Sequence, residues 1–434
     1  MGISSSIKSI LGIKSLSERD QKVIWHPLTQ HKTSGELLPI VKAKGVHLFD
    51  EEGKKYIDAI ASWYTSMYGH CHPFIIKKVH RQMKQLDQIV FSGFTHQPAI
   101  ELAENVLKLL GNNQAKVFFN DNGSTATEVG IKMALQFHHN QGHPKKYMLA
   151  LEEGFHGDTF GAMSVSGLSV YNGAFENHFI EVLRLPKPNG QNNEEVLAIL
   201  KEWISTYPIA GFIYEPMIQG AAAMKTYSAS GLEAVLKLCK KANIICIADE
   251  VMTGFGKTGK NFASDYLETK PDIVCLSKAL SAGMVPMGIT TCTQEIYDAF
   301  YADEISKGLF HGHTYTGNPL ACAAALAALE LYTSKDIQKN IAKIIHAHQR
   351  FSNELQQHPK VKNVRQLGVI LAFDLATEME RYGNLRNQLF SFFMERGVFL
   401  RPLGNTIYLL PPFVIKQEEL DILYQSIRDC LEEF

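Results

Sequence analysis

A lysine and an aspartate end two similar apolar runs of the chain, and together they could perform amino-group chemistry. Lys278 ends the run 272–278, and Asp249 ends the run 243–249, 29 residues earlier. A lysine there can bond to the aldehyde of pyridoxal 5′-phosphate, and an aspartate at the neighbouring strand end can keep the pyridine nitrogen protonated. Alone, Asp249 could also be a helix cap and Lys278 a solvated charge. The pair predicts an enzyme that uses pyridoxal phosphate.

A second segment has the residue types of an anion site. Gly123 and Ser124 come after a predicted strand that ends at Asn120, and they open a stretch whose apolar residues recur every three or four positions. The first N–H groups of a helix, the Ser124 hydroxyl and the helix dipole attract a phosphate. An ordinary capped helix is the alternative interpretation of this segment.

Phe155 follows a further predicted strand, in the sequence Gly154-Phe155-His156-Gly157. On a glycine-flanked turn, an aromatic ring can stack flat on a planar cofactor. The alternative is a buried core phenylalanine, but a core strand does not need the backbone freedom of two glycines. We therefore expect Phe155 at the cofactor.

The elements that must position these residues alternate between strands and helices. From about residue 100 to 325, short β-branched apolar runs alternate with helical periodicity, which predicts a largely parallel sheet covered by helices. Functional groups in such sheets collect beyond the carboxyl ends of the strands. The predicted strands are 115–120, 147–151, 210–215, 243–249, 272–277 and 287–291.

The length of 434 residues predicts two lobes, because single hydrophobic cores stop growing near ~250–300 residues. The smaller lobe is predicted to be α+β, with strands near 369–375 and 406–410 and helices near 385–396 and 417–431. A hairpin over 46–57 is expected to pack on it. The predicted division is an arm over 1–20, the N-terminal part of the small lobe over 21–60, a large cofactor-binding domain over 61–328 and a C-terminal small domain over 329–434.

The composition argues against several function classes. The 43 Lys and Arg residues are interspersed with 44 Asp and Glu residues, so neither nucleic acid nor an anionic membrane is an expected partner. No run reaches the ~18 apolar residues of a membrane helix, and the first twenty residues lack the apolar core of a signal peptide. The seven cysteines share no Cys-x-x-Cys spacing, which favours a reducing compartment and a cytoplasmic protein.

Two other motifs suggest chemistry that we do not expect. Gly254–Gly259 matches the G-x-G-x-x-G dinucleotide motif, but no long helical pattern follows it before Pro271. The paired histidines at 70 and 72, and at 311 and 313, lack an accompanying carboxylate or cysteine, so no metal is expected.

The run 247–259, IADEVMTGFGKTG, followed by PDIVCLSK at 271–278, resembles the signature of the class III, fold type I aminotransferases. The resemblance covers nearly the whole chain from Trp25 onward. It implies an α/β fold of type I: a large domain with a mostly parallel sheet, plus a smaller α+β lobe built from both termini. Further motifs are similar to those of members that aminate 8-amino-7-oxononanoate in biotin synthesis, namely 25–27, 61–64, 157–164, 311–321 and 401–404 with 407–409.

The resemblance also implies roles around the cofactor. Lys278 would hold pyridoxal phosphate covalently and then move a proton at the substrate α-carbon, while Asp249 would pair with the ring nitrogen. Thr314 would reach the phosphate held by the other subunit, which implies a homodimer with shared sites. The implied cofactor-binding residues are Gly123, Ser124, Phe155, Asp249, Lys278, His313 and Thr314.

On the substrate side, the resemblance implies that Trp63 walls the channel and that Asp158 lies near the amino acceptor. Arg401, with Tyr408 beside it, would bind the distal carboxylate of the keto acid, since a planar guanidinium can hold a carboxylate in two places. The implied substrate-binding residues are Trp63, Phe155, Asp158, Lys278, Gly312, Arg401 and Tyr408.

The chain departs from the resemblance at the amino donor. Leu28 and Phe155 stand where members that use S-adenosylmethionine carry tyrosines, and Lys257 replaces an arginine. S-adenosylmethionine and lysine therefore both remain candidate donors. A general ω-aminotransferase acting on ornithine or 4-aminobutyrate is the alternative enzyme. A non-catalytic binding module would be expected to lose Lys278 or Asp249, and the chain retains both.

Overall fold

The computed structural model describes residues 14–35, 37–111, 113–169, 172–377 and 384–434. Residues 1–13 of the predicted arm lie outside the described residues. The described part of the arm contains a short helix over Leu16–Asp20. Ser15 caps that helix: its Oγ accepts from the Glu18 N–H while the Glu18 carboxylate accepts from the Ser15 N–H.

The strands in chain order are β1 Ile40–Lys44, β2 His47–Asp50, β3 Lys55–Asp58, β4 Lys116–Asn120, β5 Tyr147–Leu151, β6 Val182–Leu185, β7 Ile209–Tyr214, β8 Ile218–Gln219, β9 Lys225–Thr226, β10 Ile245–Asp249, β11 Ile273–Leu276, β12 Gly288–Cys292, β13 Val361–Leu367, β14 Ile370–Leu375, β15 Val398–Phe399 and β16 Thr406–Leu409.

The helices are α1 Leu16–Asp20, α2 Ala61–Tyr64, α3 Pro73–Met83, α4 Gln97–Leu110, α5 Gly123–Asn140, α6 Phe160–Ser164, α7 Asn193–Thr206, α8 Ala229–Lys241, α9 Gln294–Asp298, α10 Pro319–Tyr332, α11 Lys335–Leu355, α12 Asn384–Glu395 and α13 Gln417–Glu433. Short 3₁₀ turns cover Gly173–His178, Ala263–Tyr266, Lys278–Ser281 and Ile305–Lys307. None of the helices in the described residues is long and apolar enough to cross a membrane.

The large sheet has the strand order β4-β12-β11-β10-β7-β5-β6. All its neighbours pair in parallel except β12, which is antiparallel to both β11 and β4. Since β12 reverses the direction twice, β4 runs the same way as the other strands. The carboxyl ends of β4, β7, β10 and β11 therefore meet at one edge, as the sequence predicted.

The centre of this sheet is apolar on both faces. Every residue of β7 and β10 is buried, which is typical of a parallel strand covered by helices on each side. Helix α5 packs across β11 and β12, where Gly130 lets the helix approach Cys275 and Ile273 closely. This packing fixes the start of α5 relative to the strand ends.

The second lobe joins both ends of the chain. Strands β1, β2 and β3 form an antiparallel meander, and β15 from the C-terminal part pairs in parallel with β3. A separate sheet has the order β13-β14-β16, and α12 and α13 occupy the predicted helical stretches. The prediction that the N-terminal hairpin packs with the C-terminal lobe is confirmed.

Candidate active site

Asp249 and Lys278 emerge at the same edge of the large sheet. Asp249 is the last residue of β10, and it lies opposite Cys275 on the adjacent parallel strand β11. Lys278 follows that strand after Ser277, with a left-handed backbone φ of 48°. The sharp turn ends the strand and places the lysine beside the aspartate.

Asp249 is held in a fixed orientation. Its carboxylate is buried, with one oxygen accepting from the Val251 N–H at 3.0 Å and the other 2.7 Å from His156 Nδ1. Because a carboxylate only accepts, His156 must carry its proton on Nδ1. His156 adjoins Phe155 in the glycine-flanked turn, but nothing in that motif indicates that the histidine reaches β10.

Burial favours the neutral amine of Lys278. Burial lowers the pKa of Lys278 below its ordinary value, although the nearby carboxylates of Asp249 and Glu215 oppose this by stabilising the charged form. The Tyr64 ring lies on another side of the amine, with its centroid 5.0 Å from Nζ. A neutral amine is the nucleophilic form that covalent capture of an aldehyde requires.

The N-terminus of α5 touches both strand ends. Asn122 caps the helix by accepting from the Thr125 N–H at 3.0 Å, which leaves the N–H groups of Gly123 and Ser124 without intrahelical acceptors. A Cβ added to Gly123 would lie 2.8 Å from Val251 Cγ1 and 3.5 Å from Ser277 Cβ. The glycine therefore permits the predicted anion site to lie directly against the Asp249 and Lys278 strand ends.

Ser124 connects the helix start to the turn that carries Asp158. Its Oγ accepts from the Thr159 N–H at 3.0 Å and lies 2.9 Å from Thr159 Oγ1. Gly157 has φ 130°, and a Cβ there would overlap Ser124 Oγ at 2.2 Å. A glycine is therefore required at this contact, and the exposed Asp158 lies next to the anion site.

Glu215, at the end of β7, holds the turn that carries Phe155. One carboxylate oxygen accepts from the Phe155 N–H at 3.1 Å and the other from the Gly220 N–H at 2.9 Å. Burial raises the pKa of Glu215 to about 7. The Phe155 ring itself is exposed, as an aromatic ring that stacks on a ligand must be before the ligand binds.

Four of the predicted substrate residues, Trp63, Lys278, Arg401 and Tyr408, lie close to one another around Tyr64. The guanidinium carbon of Arg401 lies 5.3 Å from the Trp63 ring, and the Tyr64 hydroxyl donates to the Tyr408 hydroxyl at 3.0 Å. Burial raises the pKa of Tyr408 to about 12, so its hydroxyl stays protonated at neutral pH. Tyr64 thus connects the Arg401 side of the site to Lys278.

Four predicted site residues lie apart from this group. Leu28 is exposed between α1 and β1, and Gly312 and Thr314 are exposed in the segment before α10. His313 Nδ1 is 3.6 Å from Asp121 Oδ2. No hydrogen bond between described residues joins Thr314 to Gly123 or Ser124 within the chain, and the Thr314 carbonyl instead accepts from Gln88 Nε2.

Lys257, the lysine that departs from the resemblance, is fully buried. Its Nζ donates to the Gly254 carbonyl at 2.7 Å. Burial and, to a smaller extent, the charge of Lys278 lower the pKa of Lys257 to about 7, while Glu250 opposes the shift. A buried amine with one acceptor is costly to protonate.

Replacing Lys257 with methionine should therefore change how stability depends on pH. Between pH 7 and the ordinary lysine value of 10.5, the unfolded chain binds a proton that the folded chain does not. Wild-type stability should rise with pH in this window by up to ~1.4 kcal/mol per unit, and Lys257→Met should lose this rise. Urea unfolding of both proteins from pH 6 to 9 measures it. If the unfolding free energies of the two proteins changed with pH in the same way, the lowered pKa of Lys257 would be contradicted.

The comparisons with known proteins agree on one family. The family model described as Aminotransferase class-III matches residues 29–431. The chain is 39% identical to the adenosylmethionine-8-amino-7-oxononanoate aminotransferase of Synechococcus elongatus, covering 94% of this chain and 98% of that protein. It is 35% identical to the enzyme of the same name from Helicobacter pylori, covering 97% and 98%.

Solved structures give the same result. The crystal structure of adenosylmethionine-8-amino-7-oxononanoate aminotransferase from Methanocaldococcus jannaschii matches with a TM-score of 0.90 and 33% identity, covering 95% of this chain and 98% of that chain. The ω-transaminase from Pseudomonas jessenii in complex with PMP matches with a TM-score of 0.89 and 27% identity, covering 97% and 98%.

Proposed function

Since the chain belongs to the class-III aminotransferases, we propose that it transfers an amino group to 8-amino-7-oxononanoate, forming 7,8-diaminononanoate in biotin synthesis. Pyridoxal 5′-phosphate is the cofactor. The observation that carries the proposal is the grouping of Lys278 and Asp249 with Arg401 and Trp63 around Tyr64. Seven free cysteines support a cytoplasmic enzyme.

The residues present fit this cofactor. When bound, pyridoxal phosphate supplies an aldehyde for covalent attachment and a protonated ring that takes up the charge left when a substrate C–H bond breaks. The free N–H groups of Gly123 and Ser124 suit its phosphate, and the buried Asp249 carboxylate suits its ring nitrogen. The exposed Phe155 ring provides a stacking face.

Lys278 has two tasks in the proposed reaction. Its neutral amine would hold the cofactor covalently, and its Nζ, once released, would carry a proton between the substrate α-carbon and the cofactor. The lowered pKa of Lys278 supports both tasks, because a permanently protonated amine could neither attack nor accept a proton. His156 contributes indirectly by fixing the orientation of the Asp249 carboxylate.

The acceptor is proposed to bind along the Trp63–Arg401 side. Arg401 is partly buried over the Trp63 ring, so a carboxylate beside it meets a guanidinium that is only partly hydrated. Trp63 supplies an apolar wall for the methylene chain of the keto acid, and the protonated Tyr408 hydroxyl is a hydrogen-bond donor. Asp158 lies next to Thr159, whose N–H donates to Ser124 Oγ, and is proposed to meet the acceptor amine.

We propose a homodimer in which Thr314 of the partner subunit completes each phosphate site. Large exposed apolar side chains lie near Thr314, which supports an interface there. Phe91 packs against Gly317, and Gln88 Nε2 donates to the Thr314 carbonyl at 2.9 Å, so the segments 88–94 and 310–317 form one surface. The exposed apolar residues of this surface are Val90, Phe94, Phe310 and Tyr315.

An assay of the two half-reactions tests the proposed function. The bound cofactor should lose its visible absorbance band on addition of the true donor, S-adenosylmethionine or lysine, and regain it on addition of 8-amino-7-oxononanoate. Ornithine and 4-aminobutyrate are the controls for a general ω-aminotransferase. If the band changes with those amines and 8-amino-7-oxononanoate does not restore it, the proposed acceptor is wrong.

Arg401→Ala should weaken the acceptor half-reaction selectively. It removes a charge-assisted pair worth ~1.5–3 kcal/mol, while the donor half-reaction should change much less. Single-turnover kinetics with each substrate measures the asymmetry. Arg396, which also stacks on an aromatic ring, provides a matched control, and Arg396→Ala should leave both half-reactions unchanged. An equal loss in both half-reactions for Arg401→Ala would show that Arg401 supports the fold or the cofactor.

A further inference from the structure

The turn α2, over Ala61–Tyr64, is left-handed throughout. The four residues have φ values of 48°, 45°, 68° and 73°, and none of them is glycine. Residues with a Cβ disfavour this conformation, because the Cβ approaches the following carbonyl oxygen. Such a run persists only where the surrounding structure holds it in place.

This turn presents two consecutive aromatic rings to the site. The Trp63 ring lies 5.3 Å from the Arg401 guanidinium carbon, and the Tyr64 ring centroid lies 5.0 Å from Lys278 Nζ. The backbone conformation of these four residues therefore sets the distances of the Trp63 and Tyr64 rings from Arg401 and Lys278.

Asp58, the last residue of β3, is the buried group that holds the turn. One oxygen accepts from the Ser62 hydroxyl at 2.7 Å and lies 2.8 Å from His70 Nε2, and the other accepts from the Ile60 N–H at 3.3 Å. His70 is fixed in turn by backbone hydrogen bonds in both directions with Gly45. The carboxylate thus connects the turn to a rigid strand and to a second segment.

We propose that Asp58 is a positioning residue for the acceptor side of the site, acting through Ser62. This inference rests on the proposed function, since it assigns Trp63 and Arg401 to the acceptor. Asp58 touches neither Trp63 nor Arg401 among the contacts described above. Its effect passes through the backbone of the turn, so it should alter acceptor binding more than cofactor attachment.

Two substitutions of Ser62 test the proposal. Ser62→Ala removes the hydrogen bond and keeps the unfavourable left-handed residue, while Ser62→Gly removes the same bond and also the strain at φ 45°. Ser62→Ala should raise the KM for the keto acid on the order of tenfold with little change in kcat, and Ser62→Gly should raise it less. Asp58→Asn should have the same effect as Ser62→Ala: a higher KM for the keto acid with little change in kcat.

Asp50→Asn provides the control, because Asp50 is a buried carboxylate of the same lobe that accepts from the Tyr56 hydroxyl at 2.8 Å. It should lower the melting temperature without altering the keto-acid KM. An unchanged KM in Ser62→Ala, or equal increases in the alanine and glycine variants, overturns the proposal. A wild-type enzyme that does not turn over 8-amino-7-oxononanoate would refute the proposed reaction instead, and the same comparison would then use the keto acid that the enzyme accepts.

Discussion

Replacing Lys278 with alanine should abolish turnover and the covalent attachment of the cofactor, while the cofactor should still bind. The proposed phosphate and ring sites, at Gly123, Ser124 and Asp249, do not include the lysine side chain. Loss of the residue that is proposed both to bond the cofactor and to move the substrate proton should lower kcat by at least ~10³-fold. The absorbance spectrum of the purified variant should lack the visible band of the covalently bound cofactor, and denaturation should release the cofactor intact.

Lys257 is the control for this prediction, because it is fully buried and its own pKa is lowered by burial and by the charge of Lys278. Its amine is directed to the Gly254 carbonyl, so it should be unable to replace Lys278. Lys257→Met should retain the visible band. A band that persists in Lys278→Ala and disappears in the double variant would identify Lys257 as the attachment residue and refute the assignment.

Much of the fold could be predicted because its central strands have a strong local signal. The predicted strand 147–151 has the same bounds as β5. The predicted bounds of β7 and β10 differ from the observed bounds by at most two residues. The strands β6 and β13 are among those that the sequence did not predict. β6 has four residues and contains Arg184, whose guanidinium donates to the Ser164 and Ser166 carbonyls, so its charge masks a strand pattern. β13 has only partly buried or exposed residues, so it lacks an apolar face.

The part of the site on strand ends could also be predicted, because parallel topology alone gathers those ends at one edge. The partners of these residues could not. Tyr64 donates to Tyr408 across 344 residues of sequence, and His156 reaches Asp249 across 93. No local pattern encodes such pairs. The left-handed turn α2 could not be predicted from the sequence either, since all four of its residues, Ala61–Tyr64, intrinsically disfavour that conformation.

Mixing a Lys278→Ala chain with a Thr314→Ala chain should restore activity to about half that of the wild type per heterodimer. If each site takes Lys278 from one chain and Thr314 from the other, one site of the heterodimer carries both lesions and the other carries neither. The exposed position of Thr314, outside the group formed by Lys278 and Asp249, motivates the experiment. Two affinity tags isolate the heterodimer, and steady-state turnover is compared with both parent homodimers.

The matched control pairs Lys278→Ala with Asp249→Asn. These two residues lie on neighbouring strands of one chain, so every site of that heterodimer carries one lesion and no activity should return. If the Thr314 mixture behaves like this control, with both parents impaired and the heterodimer verified, each chain builds its own phosphate site and the shared-site homodimer is wrong. Restoration in the Thr314 mixture alone requires that Thr314 act across the subunit interface, because no intact site could otherwise form.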